Sequence, residues 1–215
     1  MHYTKFVVYL IFVIGFSFAN ARSDNELFTA VIRDDAATLR GLVAAGADPN
    51  AVDGGGQPAI ARALFQESYG AAMALARMPA LDVERRNRAG ETALMLAAMK
   101  GREDIVRVLI ERGAALDPEG WTPLHYAAAG DARAIVALLL ARGVRVDPRA
   151  PNGRTPLMLA AGYASEEMVD QLLRAGADAA VRDKQGLGAA DLARGGGREW
   201  LGEKIEAAGA RQRPR

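Results

Sequence analysis

The stretch Gly120-Trp121-Thr122-Pro123-Leu124-His125-Tyr126-Ala127-Ala128 decides the fold of this 215-residue chain. Close copies begin at Gly90 (GETALMLAA) and Gly153 (GRTPLMLAA), and weaker ones begin at Gly56 (GQPAIARAL) and Gly186 (GLGAADLA). The leading glycines are separated by 34, 30, 33 and 33 residues. A fixed period of a few tens of residues is typical of repeat architectures, in which each unit packs mainly on its neighbours. The sequence therefore predicts an array of similar units.

Each copy is followed by a second apolar stretch that ends in glycine, at 105–113, 135–143 and 168–176. Apolar residues recur there at the three- and four-residue spacing of an amphipathic helix. The final glycine suits the left-handed position after a helix, while Thr followed by Pro suits a helix start. Each unit is thus predicted to be a helix–turn–helix.

The segment Thr122-Pro123-Leu124-His125-Tyr126-Ala127-Ala128 resembles the signature of ankyrin repeats, as does Gly-Ala-Asp at 46–48 and 176–178. The resemblance covers about residues 24–208 and implies an all-α ankyrin-repeat solenoid of about six helix–turn–helix units with projecting loops. It also implies that His125 hydrogen-bonds Thr122 at the helix start, and that the Ala pairs let neighbouring helices approach closely. Within a repeat domain at 22–208, the units are expected at about 24–53, 54–86, 87–116, 117–149, 150–182 and 183–208.

The terminal units depart from the motif. The first lacks the Thr-Pro-Leu-His helix start and is interpreted as an amino-terminal cap, and the sixth, with Gly195-Gly196-Gly197 at its helix junction, as a carboxy-terminal cap. The second is degenerate around Gln57-Pro58-Ala59-Ile60. Residues 209–215 are expected to be a disordered basic tail.

The amino terminus reads as a targeting segment. Lys5 precedes an apolar run at 6–19, and Ala19-Asn20-Ala21 offers the small-x-small pattern of a cleavage site. The run is shorter than the roughly 20 residues that a membrane-spanning helix needs. Residues 1–21 are therefore predicted to be a cleaved signal peptide, with the mature chain beginning near Arg22 in the periplasm or secreted. The alternative is an uncleaved anchor, the only arrangement in which we expect membrane contact.

Composition argues against several function classes. Lys5 is the only charged residue in 1–21, so the remaining chain holds 26 basic and 26 acidic residues, without the basic excess that nucleic-acid binding requires. The chain has no cysteine, and His125 is the only histidine after residue 21. Nucleophile–histidine triads and histidine or cysteine zinc sites therefore cannot be assembled. We expect no enzyme activity, no cofactor and no metal.

Two other features are weighed against catalysis or phosphate binding. Acid pairs at 34–35, 103–104 and 166–167 could serve as acid and base, but they fall near the start of second helices, where carboxylates favour the helix dipole. The glycine triplets at 54–56 and 195–197 lack the strand and the Gly-Lys-Ser/Thr ending of a phosphate loop and are interpreted as turns.

Ankyrin stacks recognise partners through loop tips and the concave face of the first helices. Carried onto this sequence, the resemblance implies a partner-binding set of Gln57, Phe65, Arg88, Glu91, Lys100, Glu119, Trp121, Asn152, Arg154, Tyr163, Lys184 and Gln185. Trp121, Arg154 and Tyr163 are the expected centre, because exposed Trp, Tyr and Arg are enriched at binding hot spots. Trp121 is expected to face solvent between two loops; in the alternative it folds over the neighbouring loop and only packs there.

The leading hypothesis is a protein-binding module outside the cytoplasm that is monomeric when alone. Exported bacterial ankyrin proteins suggest two finer versions: a cognate inhibitor (immunity protein) of a toxic effector, or an accessory protein in oxidative-stress protection. The competing hypotheses are a hydrolase that uses carboxylates alone and a membrane-tethered scaffold.

Overall fold

The computed structural model describes residues 24–212, which excludes the predicted signal peptide at 1–21 and the last three residues. Within this range the chain forms twelve α-helices and no β-strand, with a single isolated bridge between Val52 and Pro58. The chain divides into two compact units, one ending at Gly90 and the other beginning at Glu91. The sequence predicts one continuous repeat domain over 22–208 and does not anticipate this division.

The first unit contains two helix pairs. Its helices are α1 (24–32), α2 (Ala36–Ala44), α3 (Ala59–Phe65) and α4 (Tyr69–Ala76). Leu27, Leu39, Leu64 and Leu75 are fully buried and form its core. The acid pair at 34–35 has a structural role, because Asp35 caps α2 through the Thr38 amide and Asp34 accepts from the Ala71 amide at 2.6 Å.

The second unit contains four helix pairs. Its helices are α5 (Ala93–Met99), α6 (Glu103–Glu111), α7 (Pro123–Ala129), α8 (Arg133–Ala141), α9 (Pro156–Tyr163), α10 (Glu166–Arg174), α11 (Ala189–Gly195) and α12 (Glu199–Gln212). The first helices of successive pairs, α5, α7, α9 and α11, pack side by side, and each packs against its own second helix. The Ala pairs at 97–98, 127–128 and 160–161 are fully buried in these contacts, as the sequence predicts.

Capping side chains and glycines set the helix limits. Thr92 and Thr155 cap α5 and α9 by accepting the amides of Met95 and Met158, each at 3.4 Å. After α6, Gly113 adopts a φ of 87°, which lets the Ala114 amide reach back to the carbonyl of Leu109 at 3.0 Å. These contacts explain why each repeat is a pair of short helices rather than one long helix.

One helix pair lies within each of the six predicted repeat ranges, but the last helix continues past residue 208. Residues 209–212, expected in the disordered tail, are helical. Gln212 holds them in place: its side-chain nitrogen donates to the carbonyl of Ala177 at 2.9 Å and its side-chain oxygen accepts the Ala179 amide at 3.3 Å. Among residues 24–212, no helix has the length and apolar character needed to cross a membrane.

Candidate functional site

A groove of about 380 Å³ lies on the second unit. Four residues of the predicted partner-binding set line it: Trp121, Asn152, Arg154 and Tyr163. They come from the loop before α7, the loop before α9 and the end of α9. The three residues expected at the centre of the interface therefore share one concavity, which we call the aromatic groove.

Trp121 is half-buried rather than fully solvent-facing. Its ring meets His125 edge-on, with centroids 5.2 Å apart, and meets Tyr126 in the same manner at 6.3 Å. Edge-to-face pairs of this kind add to the stability of aromatic clusters. Trp121 thus packs over the start of its own helix and is less exposed than the expected solvent-facing position, while it shares the groove with Asn152 and Arg154 of the neighbouring loop.

His125 is completely buried beneath this cluster. Its Nδ1 accepts the backbone N–H of Thr122 at 3.1 Å and lies 2.9 Å from the Thr122 hydroxyl, which confirms the contact that the resemblance implies. Because Nδ1 is an acceptor, the ring hydrogen is on Nε2, which lies 3.0 Å from the carbonyl oxygen of Arg154. Burial lowers the pKa of His125 to about 4, so the ring is neutral at pH 7.

Arg154 is fixed by its own loop and by the next one. Its Nε donates to the buried carboxylate of Asp183 at 3.3 Å, and its amide donates to the side chain of Asn152 at 3.1 Å. Burial acts to raise the pKa of Asp183, but hydrogen bonds from Leu187, Gln185 and Arg154 outweigh it and hold the pKa below its usual range. The carboxylate therefore stays charged and keeps Arg154 in place.

Tyr163 owes its exposure to an unusual turn. In the preceding repeat the turn between helices contains Asp131 with a positive φ of 55°, whereas Ala164 has a φ of −104°. Helix α9 consequently extends to Tyr163, and Ser165 begins α10 by accepting the Met168 amide at 3.3 Å. The Tyr163 side chain is left 69% exposed at the edge of the aromatic groove.

Five further lining residues were not in the predicted set: Met99, His125, Tyr126, Ala129 and Leu159. Tyr126 is the most informative, since its hydroxyl donates to Glu91 at 2.9 Å and so links a predicted residue to the groove. The corresponding residues before the other Ala pairs are Leu96 and Leu159, and a tyrosine in place of leucine is the signal that could have identified this position.

The aromatic groove presents hydrogen-bond donors that no described residue satisfies. Among residues 24–212, no acceptor pairs with the indole N–H of Trp121, the side-chain N–H groups of Asn152 or the terminal nitrogens of Arg154. The Tyr163 hydroxyl also lacks a partner within that range. Donors beside apolar rings suit a ligand that offers carbonyl or carboxylate oxygens next to apolar side chains, which is what a polypeptide offers.

The remaining members of the predicted set do not line the aromatic groove. Glu119, Lys184 and Gln185 are exposed on loops of the second unit, and Lys100 is half-buried at the end of α5. Glu91 is half-buried and accepts from Tyr126. The last three lie in the first unit: Gln57 is half-buried, Arg88 is exposed on a loop, and Phe65 is 41% exposed as the last residue of α3. Their role in partner binding stays a prediction.

The acid pairs of the second unit are engaged in structural contacts. Glu103 pairs with Arg107 at 2.5 Å, and Asp104 pairs with Arg102 at 2.8 Å. The pKa of Asp104 is lowered, mainly by its hydrogen bond with Arg102. Across residues 24–212, no cluster of His, Cys, Asp or Glu is arranged to hold a metal ion. Glu103 and Asp104 thus lie in the first turn of α6 and pair with neighbouring arginines there.

A family model described as ankyrin repeats matches this chain. Three overlapping copies of it cover residues 27–119, 51–150 and 114–183. Among curated proteins, the mouse B-cell lymphoma 3 protein homolog is 36% identical over 141 residues, which is 62% of this chain and 32% of that protein. The human neurogenic locus notch homolog protein 2 is 36% identical over 118 residues, 54% of this chain. The chain spans only 5% to 32% of the length of these two relatives.

Among solved structures, an ankyrin repeat domain from Acinetobacter baumannii aligns with a TM-score of 0.68 and 26% identity. The alignment covers 85% of this chain and 97% of that domain. Together with the helix pairs described above, it confirms the predicted all-α ankyrin-repeat fold.

Proposed function

The chain belongs to the ankyrin-repeat family of protein–protein interaction modules, and we propose that it binds a protein partner through the aromatic groove. The observation that carries this proposal is the meeting of Trp121, Arg154 and Tyr163 in one concavity. Trp, Tyr and Arg are the side chains that most often dominate binding energy in protein interfaces.

The groove is also preorganised. Trp121 is held by the two aromatic contacts beneath it, and Arg154 by the Asp183 carboxylate and the Asn152 side chain. Side chains that are already fixed lose little conformational entropy when a partner binds. A rigid Trp–Arg pair beside the more exposed Tyr163 is therefore a favourable starting point for a specific interface.

The partner segment proposed for this groove carries apolar side chains flanked by acceptor oxygens. The unpaired donors of Trp121, Asn152 and Arg154 would otherwise remain buried without an acceptor once a partner excluded water. A segment that offered cations there would place like charges beside Arg154. Carbonyl and carboxylate groups satisfy both requirements.

Affinity capture with matched tryptophan variants tests this function. The wild-type protein, Trp121→Ala and Trp200→Ala are used as baits, since Trp200 is 51% exposed but does not line the groove. We expect a protein that wild type and Trp200→Ala recover equally and that Trp121→Ala recovers at least tenfold less. Equal recovery by all three baits, or no protein above background, would contradict the proposal.

We further propose that the protein acts outside the cytoplasm, because residues 1–21 have the pattern of a cleavable signal. Amino-terminal sequencing of protein from cell fractions tests this location. A start at Arg22 in the periplasmic or secreted fraction supports it, a start at Met1 in the membrane fraction favours the tethered scaffold, and cytoplasmic recovery opposes both.

The identity of the captured partner separates the two finer hypotheses. Affinity capture of a toxin would favour the inhibitor hypothesis, whereas capture of a peroxide-handling enzyme would favour the stress-protection hypothesis.

A further inference from the structure

We propose that a second site, a cleft between α10 and α12, binds a small oxyanion between Arg174 and Arg211. The cleft has a volume of about 400 Å³ and is lined by Asp170, Leu173, Arg174, Lys204, Ala208 and Arg211, with Gln212 at its end. It shares no lining residue with the aromatic groove. We call it the arginine cleft.

Two rows of side chains face each other across this cleft. On α10, Glu166, Asp170 and Arg174 are spaced four residues apart and so lie on one face of the helix. On α12, Lys204 precedes Arg211 by two turns. At this end of the cleft the charged groups are paired, because the Lys204 ammonium lies 2.6 Å from both the Glu166 and the Asp170 carboxylates. The hydrogen bonds that Lys204 donates to Asp170 and Glu166 raise its pKa, which keeps it charged.

The far end of the cleft has no such ion pair among the described residues. There the cleft is lined by two arginines, and no described residue forms an ion pair or hydrogen bond with the guanidinium of Arg174 or Arg211. Each arginine is in the last turn of its helix, where the helix dipole favours a cation. The dipole acts on each helix separately, so it does not explain why the two arginines line the same cleft.

The two guanidinium groups at the end of the cleft favour an oxyanion as the ligand. Guanidinium groups donate paired N–H bonds that match the oxygens of phosphate and carboxylate. Leu173 and Ala208 line the cleft without offering an acceptor, and the Asp170 carboxylate is already paired with Lys204. Gln212 is already bonded to the backbone at 177 and 179, which fixes the end of α12 and hence the backbone position of Arg211.

Titration with two probes tests the arginine cleft and distinguishes the sources of the oxyanion. Inorganic phosphate and citrate are each titrated into the full chain by calorimetry at constant ionic strength, with sodium chloride as the balancing salt. We expect one-to-one binding of at least one probe, at least tenfold weaker in Arg174→Ala and in Arg211→Ala. Arg142→Ala, which removes an exposed arginine after α8, is the matched control and should bind as wild type does.

A charge reversal supplies an independent readout. Arg211→Glu places a carboxylate opposite Arg174, so its Tm should rise in anion-free buffer, and the anion should no longer raise it further. Phosphate binding without citrate binding would identify a phosphate ligand, and the reverse a carboxylate ligand. The proposal is overturned if neither probe binds, or if Arg174→Ala and Arg211→Ala bind as tightly as wild type.

Discussion

The Nε2–H of His125 donates to the carbonyl oxygen of Arg154, with 3.0 Å between the two heavy atoms. His125 lies in the first helix of the fourth repeat and Arg154 in the loop that opens the fifth, so this bond ties the loop of one repeat to the first helix of the previous one. The same Arg154 extends its side chain into the aromatic groove. A histidine that the resemblance assigns only to a helix start therefore also positions a groove residue.

The burial of His125 predicts that the protein loses stability in mild acid. Its pKa is about 4 in the folded protein, against a usual value of 6.5, so between these values the unfolded chain binds more protons. The stability that depends on a neutral His125 is present above about pH 6.5 and is lost as the pH falls towards 4. We expect the free energy of unfolding to drop by about 2 kcal/mol between pH 7 and pH 5, measured by urea denaturation.

A histidine variant isolates this effect. Asp35, Asp104 and Asp183 have lowered pKa values, so the stability they contribute is lost only as the pH falls below the ordinary aspartate value, while the raised pKa of half-buried Asp147 acts in the opposite direction. His125→Gln, made in a protein beginning at Arg22, should be less stable at pH 7 and should lose the slope between pH 7 and pH 5. An unchanged slope would mean that another group is responsible.

A pair of glycine variants tests the close packing of α5 and α7. A β-carbon on Gly130 would overlap the carbonyl oxygen of Met99, whereas one on Gly162, in α9, would meet no atom within 4 Å. Gly130→Ala should lower the free energy of unfolding by about 1–3 kcal/mol through overpacking. Gly162→Ala should raise it by about 0.4–1 kcal/mol because it restricts the unfolded chain. Thermal denaturation measures the change in Tm of each variant. A change of the same sign in both variants would refute this packing.

A serine pair tests the turn that exposes Tyr163. Ser165 caps α10, and its hydroxyl also donates to Asp131 at 2.7 Å. Ser68 precedes α4 but makes no side-chain capping bond. We expect Ser165→Ala to lower the free energy of unfolding by about 1 kcal/mol, by loss of the cap, and Ser68→Ala to change it much less. Chemical denaturation of the two variants measures the difference, and equal losses would show that the cap is not the cause.

The repetitive features of this protein could be predicted from its sequence. Thr155 and Pro156 mark a helix start and Gly113 a helix end through local chemistry alone, since their partners are within five residues. Trp121 and Arg154 meet because they occupy equivalent positions in adjacent repeats, which the period itself indicates.

What could not be predicted depends on contacts between distant residues. Trp121 is half-buried because of the particular rings of His125 and Tyr126 beneath it. The helical residues 209–212 depend on Gln212 reaching backbone groups about one repeat away, at Ala177 and Ala179. No local pattern in a polar carboxy-terminal segment indicates such partners, and the sequence therefore favours a tail.

Site-specific photo-crosslinking in living cells tests the central claim, that the aromatic groove contacts a protein partner. A benzophenone amino acid replaces Tyr163 at the groove or Trp200 outside it, two exposed aromatic positions. We expect illumination to yield a defined protein adduct from position 163 but not from position 200, and we expect adding Trp121→Ala to abolish the adduct. An adduct of equal yield from both positions, or one that persists with Trp121→Ala, would contradict the claim.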